Sequence, residues 1–449
     1  MENDLDVTSG SIIKIFIKYA IPTILGMVAI SSASIVDGIF VGRFIGSNAL
    51  AVINLIVPYV SLLLGVITML GSGGCVLCGK LMGEKKSEDA SRTFSKFIQI
   101  MLLLILIPWI LVLLFPYHIA YLLGADSSVA ENTVTYLINY TYFLPFQLMG
   151  IGLSFFSRVN GRPGLTSFAL LLSAGMNVFL DFIFVVLLGL GIRGAAFATG
   201  LSQSMTFFIL LPTFFNKNSA LKLVKPVKFT KDILFSVFNG ISEFLNETSS
   251  GIVAFVFNHV LMSQSGVDGV AAFTTINFFL YSGCLVSYGV VASMNGPISI
   301  NFGARNSKRV NGFLKVSILF NLIMGALIAA ALYFFDDLWV SIFLKNKAAH
   351  ISELAVTYIG LLWPAFLVSG LNIVITGYFT STLKPGLSFI FSALRSLLFP
   401  ILFILILNSI FMDEKVFLSI PIAEFLTLLI CLICIFIKKN RSVAPEVKS

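Results

Sequence analysis

Apolar runs of roughly 17 to 25 residues, the length that carries a helix across a bilayer, follow one another along this chain from Ile15 to Ile437 with only short polar breaks. Twelve such runs are readable, six before the loop Asn216–Asp232 and six after it. In lipid a segment must satisfy its own backbone hydrogen bonds, so each run is expected to be a helix. Of the 449 residues, 57% are apolar and only 11% are Asp, Glu, Lys or Arg, against about 25% charge in a soluble domain. No soluble fold of that size keeps so little charged surface and stays dispersed. The expected class is an all-α membrane protein with twelve transmembrane helices.

The net charge of +8 invites a nucleic-acid reading, but its distribution argues against one. Sorted by alternate loops, 23 of the 29 Lys and Arg fall on one side and 5 on the other, with Arg395 inside a span. The rich side is cytoplasmic by the positive-inside rule. Both termini then lie in the cytoplasm, and the expected location is the plasma (cell inner) membrane. The stretch Met1–Gly10 is acidic and no small-residue cleavage site precedes the first run, so a removed signal peptide is not expected. Cys75 with Cys78, and Cys431 with Cys434, have CxxC spacing but lie inside apolar runs, where buried free thiols usually serve as packing residues.

The halves read as a repeat. Gly46 and Gly83 recur as Gly266 and Gly303 after 220 residues, and the turn Arg162-Pro163-Gly164-Leu165 recurs as Lys384-Pro385-Gly386-Leu387 after 222. Six helices per half return the chain to its starting side, so the repeats are expected to be parallel, related by a pseudo-two-fold axis along the membrane normal. The expected organisation is an N-terminal six-helix lobe (1–215), a cytoplasmic linker (216–232) and a C-terminal six-helix lobe (233–449). A site between such lobes is the usual place for a transported solute.

Ionisable groups within spans are the sharpest functional signal, since each costs about 2.5–3.5 kcal/mol at the centre of a helix on insertion scales. They are Asp37, Asp181, Glu243, Glu247, Arg395 and Glu424. Counting from the external helix ends, Asp37 lies about 9 Å deep, Asp181 about 12 Å and Thr199 about 8 Å. Asn177 is one turn from Asp181 on the same face. Four polar groups on three helices thus reach one level. The repeat supplies a control: Asp37 maps to Phe257, and Asn177 and Asp181 map to Phe399 and Phe403. The scaffold does without these groups in its second half, so the first half carries them for function. Two carboxyls this close in low dielectric do not both stay charged without a partner, so they are expected to take up a proton or a cation such as Na⁺. The competing reading is a hydrogen-bonded pair that glues three helices together. Glu243 and Glu247, at i and i+4, form a second candidate face for a cation or a cationic solute, while Arg395 and Glu424 are candidates to neutralise each other. No P-loop, nucleophile elbow or metal-ligand cluster is present in the sequence, so no enzyme activity or cofactor is expected.

Several of these segments resemble the multidrug and toxic compound extrusion (MATE) family of efflux transporters in its bacterial form. They are Ile21-Pro22 with Val36-Asp37-Gly38-Ile39-Phe40-Val41-Gly42-Arg43, Asn177-Val178-Phe179-Leu180-Asp181, Gly194-Ala195-Ala196-Phe197-Ala198-Thr199 and Asn239-Gly240-Ile241-Ser242-Glu243-Phe244. The resemblance implies an antiporter with a central cavity that exchanges H⁺ or Na⁺ for organic cations and amphipathic drugs. It implies a cation site at Asp37, Asn177, Asp181 and Thr199, a first helix that bends at Pro22, and in some members coupling acids to which Glu243 or Glu247 would correspond. The expected partners are small-molecule drugs and the bilayer, with no nucleic acid, and the chain is expected to act as a monomer. The alternative is a flippase for lipid-linked glycans, which requires basic groups in its cavity; here Arg395 is the one basic residue expected inside a span.

Overall fold

The computed structural model describes residues 6–336, 340 and 349–441. In chain order its helices are α1 (Ile12–Phe40), α2 (Ser47–Gly83), α3 (Ser87–Leu114), α4 (Pro116–Leu122), α5 (Ala130–Thr141), α6 (Leu144–Val159), α7 (Pro163–Asp181) and α8 (Gly191–Leu210). There follow α9 (Lys231–Asn239), α10 (Ile241–Gln264), α11 (Gly266–Gly303), α12 (Ser307–Phe334), α13 (Ala349–Leu362), α14 (Phe366–Ser381), α15 (Pro385–Ala393), α16 (Phe399–Phe411) and α17 (Ser419–Arg441). The described residues contain no strand. Lys345, Lys347 and Lys448, which entered the loop-charge reading, lie outside the described residues.

α3 shows why these helices belong in lipid. Phe94, Phe97, Met101 and Ile105 on one side are buried, while Leu103, Ile107, Ile110 and Leu114 on the other are exposed. A helix that is apolar all round, with one face unpacked, has hydrocarbon as its other partner. Ten helical stretches among the described residues are long and apolar enough to cross a membrane. The two expected spans that are not among them, the fourth and the seventh, are each interrupted. The fourth breaks at Tyr142–Phe143, just before Pro145 in the first turn of α6, and the seventh breaks at Gly240 between α9 and α10. Proline suits the first turn of a helix, where its missing N–H costs nothing. In α10 the polar residues Glu243, Asn246 and Glu247 lower the apolar content further.

The described chain falls into two compact units. One comprises Met1–Thr248, Tyr288–Ser317 and Gly377–Pro385; the other comprises Ser249–Ser287, Ile318–Thr376 and Gly386–Ser449. The second is built on an aromatic core. Phe257 stacks on Phe273 and Phe417 with centroids 4.9 and 5.1 Å away, and Tyr358 stacks on Phe417 at 4.0 Å.

The repeat is written into the backbone of four turns. After α2, the Lys85 N–H bonds Met82 O and the Lys86 N–H bonds Leu81 O; after α11, the Arg305 N–H bonds Phe302 O and the Asn306 N–H bonds Asn301 O. These residues correspond one by one at a shift of 220. After α6, Gly161 and Arg162 bond Arg158 O and Ser157 O, and after α14, Leu383 and Lys384 bond Thr380 O and Phe379 O. Here the shift is 222. All four are the six-to-one helix ending that needs a left-handed residue, and only Gly161 supplies a glycine there; Lys85, Arg305 and Leu383 hold φ of 63°, 57° and 54°.

The segment between Phe215 and Lys231, expected as a linker between two lobes, is held down as a strap at Leu221–Val224. Asn160 Oδ1 accepts from Leu221 N at 2.8 Å, and Ser91 and Ser95 hydroxyls accept from Lys222 N and Val224 N at 3.2 and 2.9 Å. Leu221 is buried against them.

Candidate cation site

α1 and α7 pack along each other, which sets Asp37, near the end of α1, beside Asp181, the last residue of α7. Their carboxyls are close enough to interact. Each helix passes directly into a π turn: Val41–Ile45 after α1 and Phe182–Leu187 after α7. A π turn inserts one extra residue into a helix and is common where a helix serves a site. The two π segments touch each other, and both touch α8. Gly194 allows the second contact, because a Cβ there would lie 2.8 Å from Phe184 O. This close approach brings Thr199, five residues on, to the carboxyls' level. Asp181 and Asn177 are buried; Asp37 and Thr199 are half-buried.

Sequence reasoning missed Tyr136. Its side chain on α5 is buried, its hydroxyl reaches Thr199, and it lies within electrostatic range of both Asp37 and Asp181. The signal was available in the repeat, because Tyr136 shifted by 222 is Tyr358, but an aromatic residue in an apolar run reads as packing. From Tyr136 a polar file continues inward. Its ring stacks on Tyr140 at 5.9 Å, Tyr140 meets Gln147, and Gln147 is hydrogen-bonded to Gln203, one turn from Thr199 on α8.

Among the described residues, five buried polar atoms at the site lack a hydrogen bond of good geometry: Asp37 Oδ1, both carboxylate oxygens of Asp181, Asn177 Nδ2 and Thr199 Oγ1. An unsatisfied buried polar atom costs about 1–3 kcal/mol. Five such atoms at one level are costly for a contact whose role is only to join helices. The donor set is oxygen-rich and anionic, which suits a proton or a hard monovalent cation. Among the described residues, no three His, Cys, Asp or Glu gather as a transition-metal site requires.

The other intramembrane charges behave differently. Glu243 and Glu247 form a separate pair on α10; their carboxyls feel each other, with Asn246 and Cys75 near Glu243. Arg395 and Glu424 do pair, Nε to Oε1 at 3.0 Å, with both side chains 7% exposed. Asn372 Nδ2 completes that group, donating to Glu424 Oε2 at 2.6 Å and to the Glu424 carbonyl at 2.8 Å. A third π segment, Leu394–Leu398, carries Arg395. The cysteines are free thiols, and Cys75, Cys78 and Cys431 are buried.

The MatE family model matches residues 22–183 and 240–406, a span that includes Pro22, Asp37, Asn177, Asp181, Glu243 and Glu247. The chain belongs to the MATE family. MATE relatives include the multidrug export protein MepA of Staphylococcus aureus, 27% identical over 442 residues that cover 96% of this chain and 95% of that protein. MepA of Staphylococcus haemolyticus is 26% identical over 435 residues with the same coverage. The crystal structure of a MATE in complex with MaL6 superposes with a TM-score of 0.88 at 21% identity, over 96% of this chain and 97% of that one, so the MATE fold is shared. Membership makes the chain a multi-pass membrane transporter.

Proposed function

We propose that this protein is a secondary antiporter that exports organic cations and amphipathic drugs in exchange for H⁺ or Na⁺, by alternating access of two six-helix lobes (1–215 and 233–449). The observation that carries this reading is the set of five buried polar atoms on α1, α7 and α8 that, among the described residues, lack a hydrogen bond of good geometry. The cargo class is supported by the relatives, since MepA is a multidrug export protein. A proton or Na⁺ arriving from outside supplies the missing bonds and removes the repulsion between Asp37 and Asp181. α1 then shifts about Pro22, where the ring removes a helical hydrogen bond and weakens the turn. The drug is released as its site deforms, and entry of one charge down 100 mV contributes about 2.3 kcal/mol to the cycle. Tyr136, Asn177 and Thr199 stand beside the carboxyls as the neutral polar groups that an arriving ion would meet. For the flippase reading, the basic residue that a lipid pyrophosphate would need, Arg395, is already engaged by Glu424.

The test is fluorescent-cation efflux from everted vesicles carrying the wild type, Asp37→Asn, Asp181→Asn or Glu243→Gln, under an imposed pH gradient and separately a Na⁺ gradient. Loss in the two Asp variants alone supports the site, and the effective gradient identifies the ion. Full efflux by Asp37→Asn rejects the site. If neither gradient drives any cation through the wild type, the antiport reading falls and the flippase returns.

A further inference from the structure

At the end of the bundle where α2 and α11 terminate, their backbones meet through two glycines. A Cβ on Gly83 would lie 1.9 Å from Ile300 O, and one on Gly303 would lie 2.0 Å from Lys80 O. Residues 80 and 300, like 83 and 303, correspond at the repeat shift of 220, so this is one contact made twice. Beside it opens a cavity of about 640 Å³, within the size range of small-molecule sites. Three cations from three different places line it: Lys80 from α2, Arg305 from the α11–α12 turn and Lys384 from the α14–α15 turn.

Glu84 is the one carboxylate among the lining residues, and it is already engaged. Lys86 holds it at 2.8 Å and Lys80 at 3.7 Å, and the hydrogen bond from Lys86 keeps its carboxyl below the usual range. The ammonium of Lys384 stands 5.8 Å from the centroid of Tyr378, which also lines the cavity. Arg305 is in no ion pair among the described residues. Its neighbour Arg309, by contrast, is occupied by the carbonyls of Val7, Ser9 and Gly10. Ser307 and Asn311, in the opening turns of the 28-residue helix α12, also line the cavity, so a positive helix end adds to the field.

We propose that this cavity binds a phosphate-bearing anion that bridges Lys80, Arg305 and Lys384 and so ties the α2–α11 crossing together. Guanidinium and ammonium groups converging on a pocket between helix ends are the chemistry that selects a phosphate group over a zwitterion or a neutral solute. The anion is either a phospholipid headgroup or a free phosphate compound, and the experiment separates the two.

Purified full-length protein is offered equal amounts of dioleoyl-phosphatidylglycerol and dioleoyl-phosphatidylcholine in detergent, and retained lipid is counted by native mass spectrometry. In parallel, thermal unfolding in neutral detergent is followed with inorganic pyrophosphate. The variants are Arg305→Gln/Lys384→Gln, both at exposed turn positions, and a control, Lys225→Gln/Lys228→Gln, which removes the same charge from exposed positions outside this cavity. Retention of phosphatidylglycerol over phosphatidylcholine by about tenfold, lost in the first variant and kept in the control, assigns a lipid headgroup. No lipid preference, with a pyrophosphate-dependent rise in the unfolding midpoint that the first variant lacks, assigns a free phosphate compound. Equal behaviour of wild type and first variant towards both probes, or an equal loss in the control, overturns the proposal.

Discussion

Asp37 and Phe257 are 220 residues apart, the spacing that also separates Gly83 from Gly303, yet their surroundings follow opposite rules. Around Asp37 the chain gathers Asp181, Asn177, Thr199 and Tyr136 and, among the described residues, leaves five polar atoms without a hydrogen bond of good geometry. Around Phe257 it stacks Phe273, Phe417 and Tyr358 into a closed aromatic core. The tyrosine is common to both, since Tyr136 and Tyr358 are 222 residues apart; only its neighbours change. The backbone thus tolerates either filling. An aromatic core at this position stabilises the fold, while a polar one costs stability and, in the function proposed above, gains a place for an ion.

The contrast breaks if the two positions respond alike. The largest effect expected is on stability: Phe257→Ala should cost about 3–5 kcal/mol, read as a lowered unfolding midpoint in detergent, whereas Asp37→Asn should leave the midpoint level or raise it, because it removes one of two facing like charges. Arg395→Gln should fall with Phe257→Ala, since stripping one partner from a buried ion pair costs about 3–5 kcal/mol; a Glu424→Gln/Arg395→Gln double variant should recover part of that loss. Transport inverts the order. Asp37→Asn and Asp181→Asn should each lose about 100-fold in gradient-driven efflux, about 2.7 kcal/mol at 1.36 kcal/mol per tenfold, while any residual Phe257→Ala protein in the membrane keeps its coupling. The tyrosine pair sharpens the comparison: Tyr136→Phe should reduce efflux about tenfold, or about 1.4 kcal/mol, and Tyr358→Phe should leave it unchanged. The smallest effect lies away from both regions, where Lys85→Gly should stabilise by about 1 kcal/mol by relieving a left-handed backbone.

What could be read in the sequence, and what could not, follows from the range of the forces involved. Asp37, Asp181 and Asn177 were legible because a carboxylate or amide in an apolar run is costly wherever it packs, and Thr199 because depth is additive along a helix. The repeat was legible at Gly83 and Gly303 and at the Pro-Gly turns. Tyr136 was not, because its role depends on the neighbours that α8 brings to it. The breaks at Gly240 and before Pro145 left marks in the sequence, but averaging hydropathy over a whole span hides a single residue. The strap at Leu221 was invisible because its partners, Asn160, Ser91 and Ser95, lie far back in the chain and read as ordinary loop-end polar residues. The π turns carry no local signature at all, since the same residues form an α-helix unless tertiary packing favours the wider turn.

Those π turns have a consequence for how such a site changes over generations. Each is a helix that has absorbed one surplus residue without breaking. Removing one codon within 182–187 would therefore leave a continuous helix and Asp181 in place, while rotating everything beyond it by about 100°. Inserting or deleting single codons at these points re-aims the turn 188–190 and the start of α8, and with it Thr199, in discrete steps, while Asp37 and Asp181 keep their places. The lineage of such a chain has a way of altering the approach to the Asp37–Asp181 pair that point substitution does not offer.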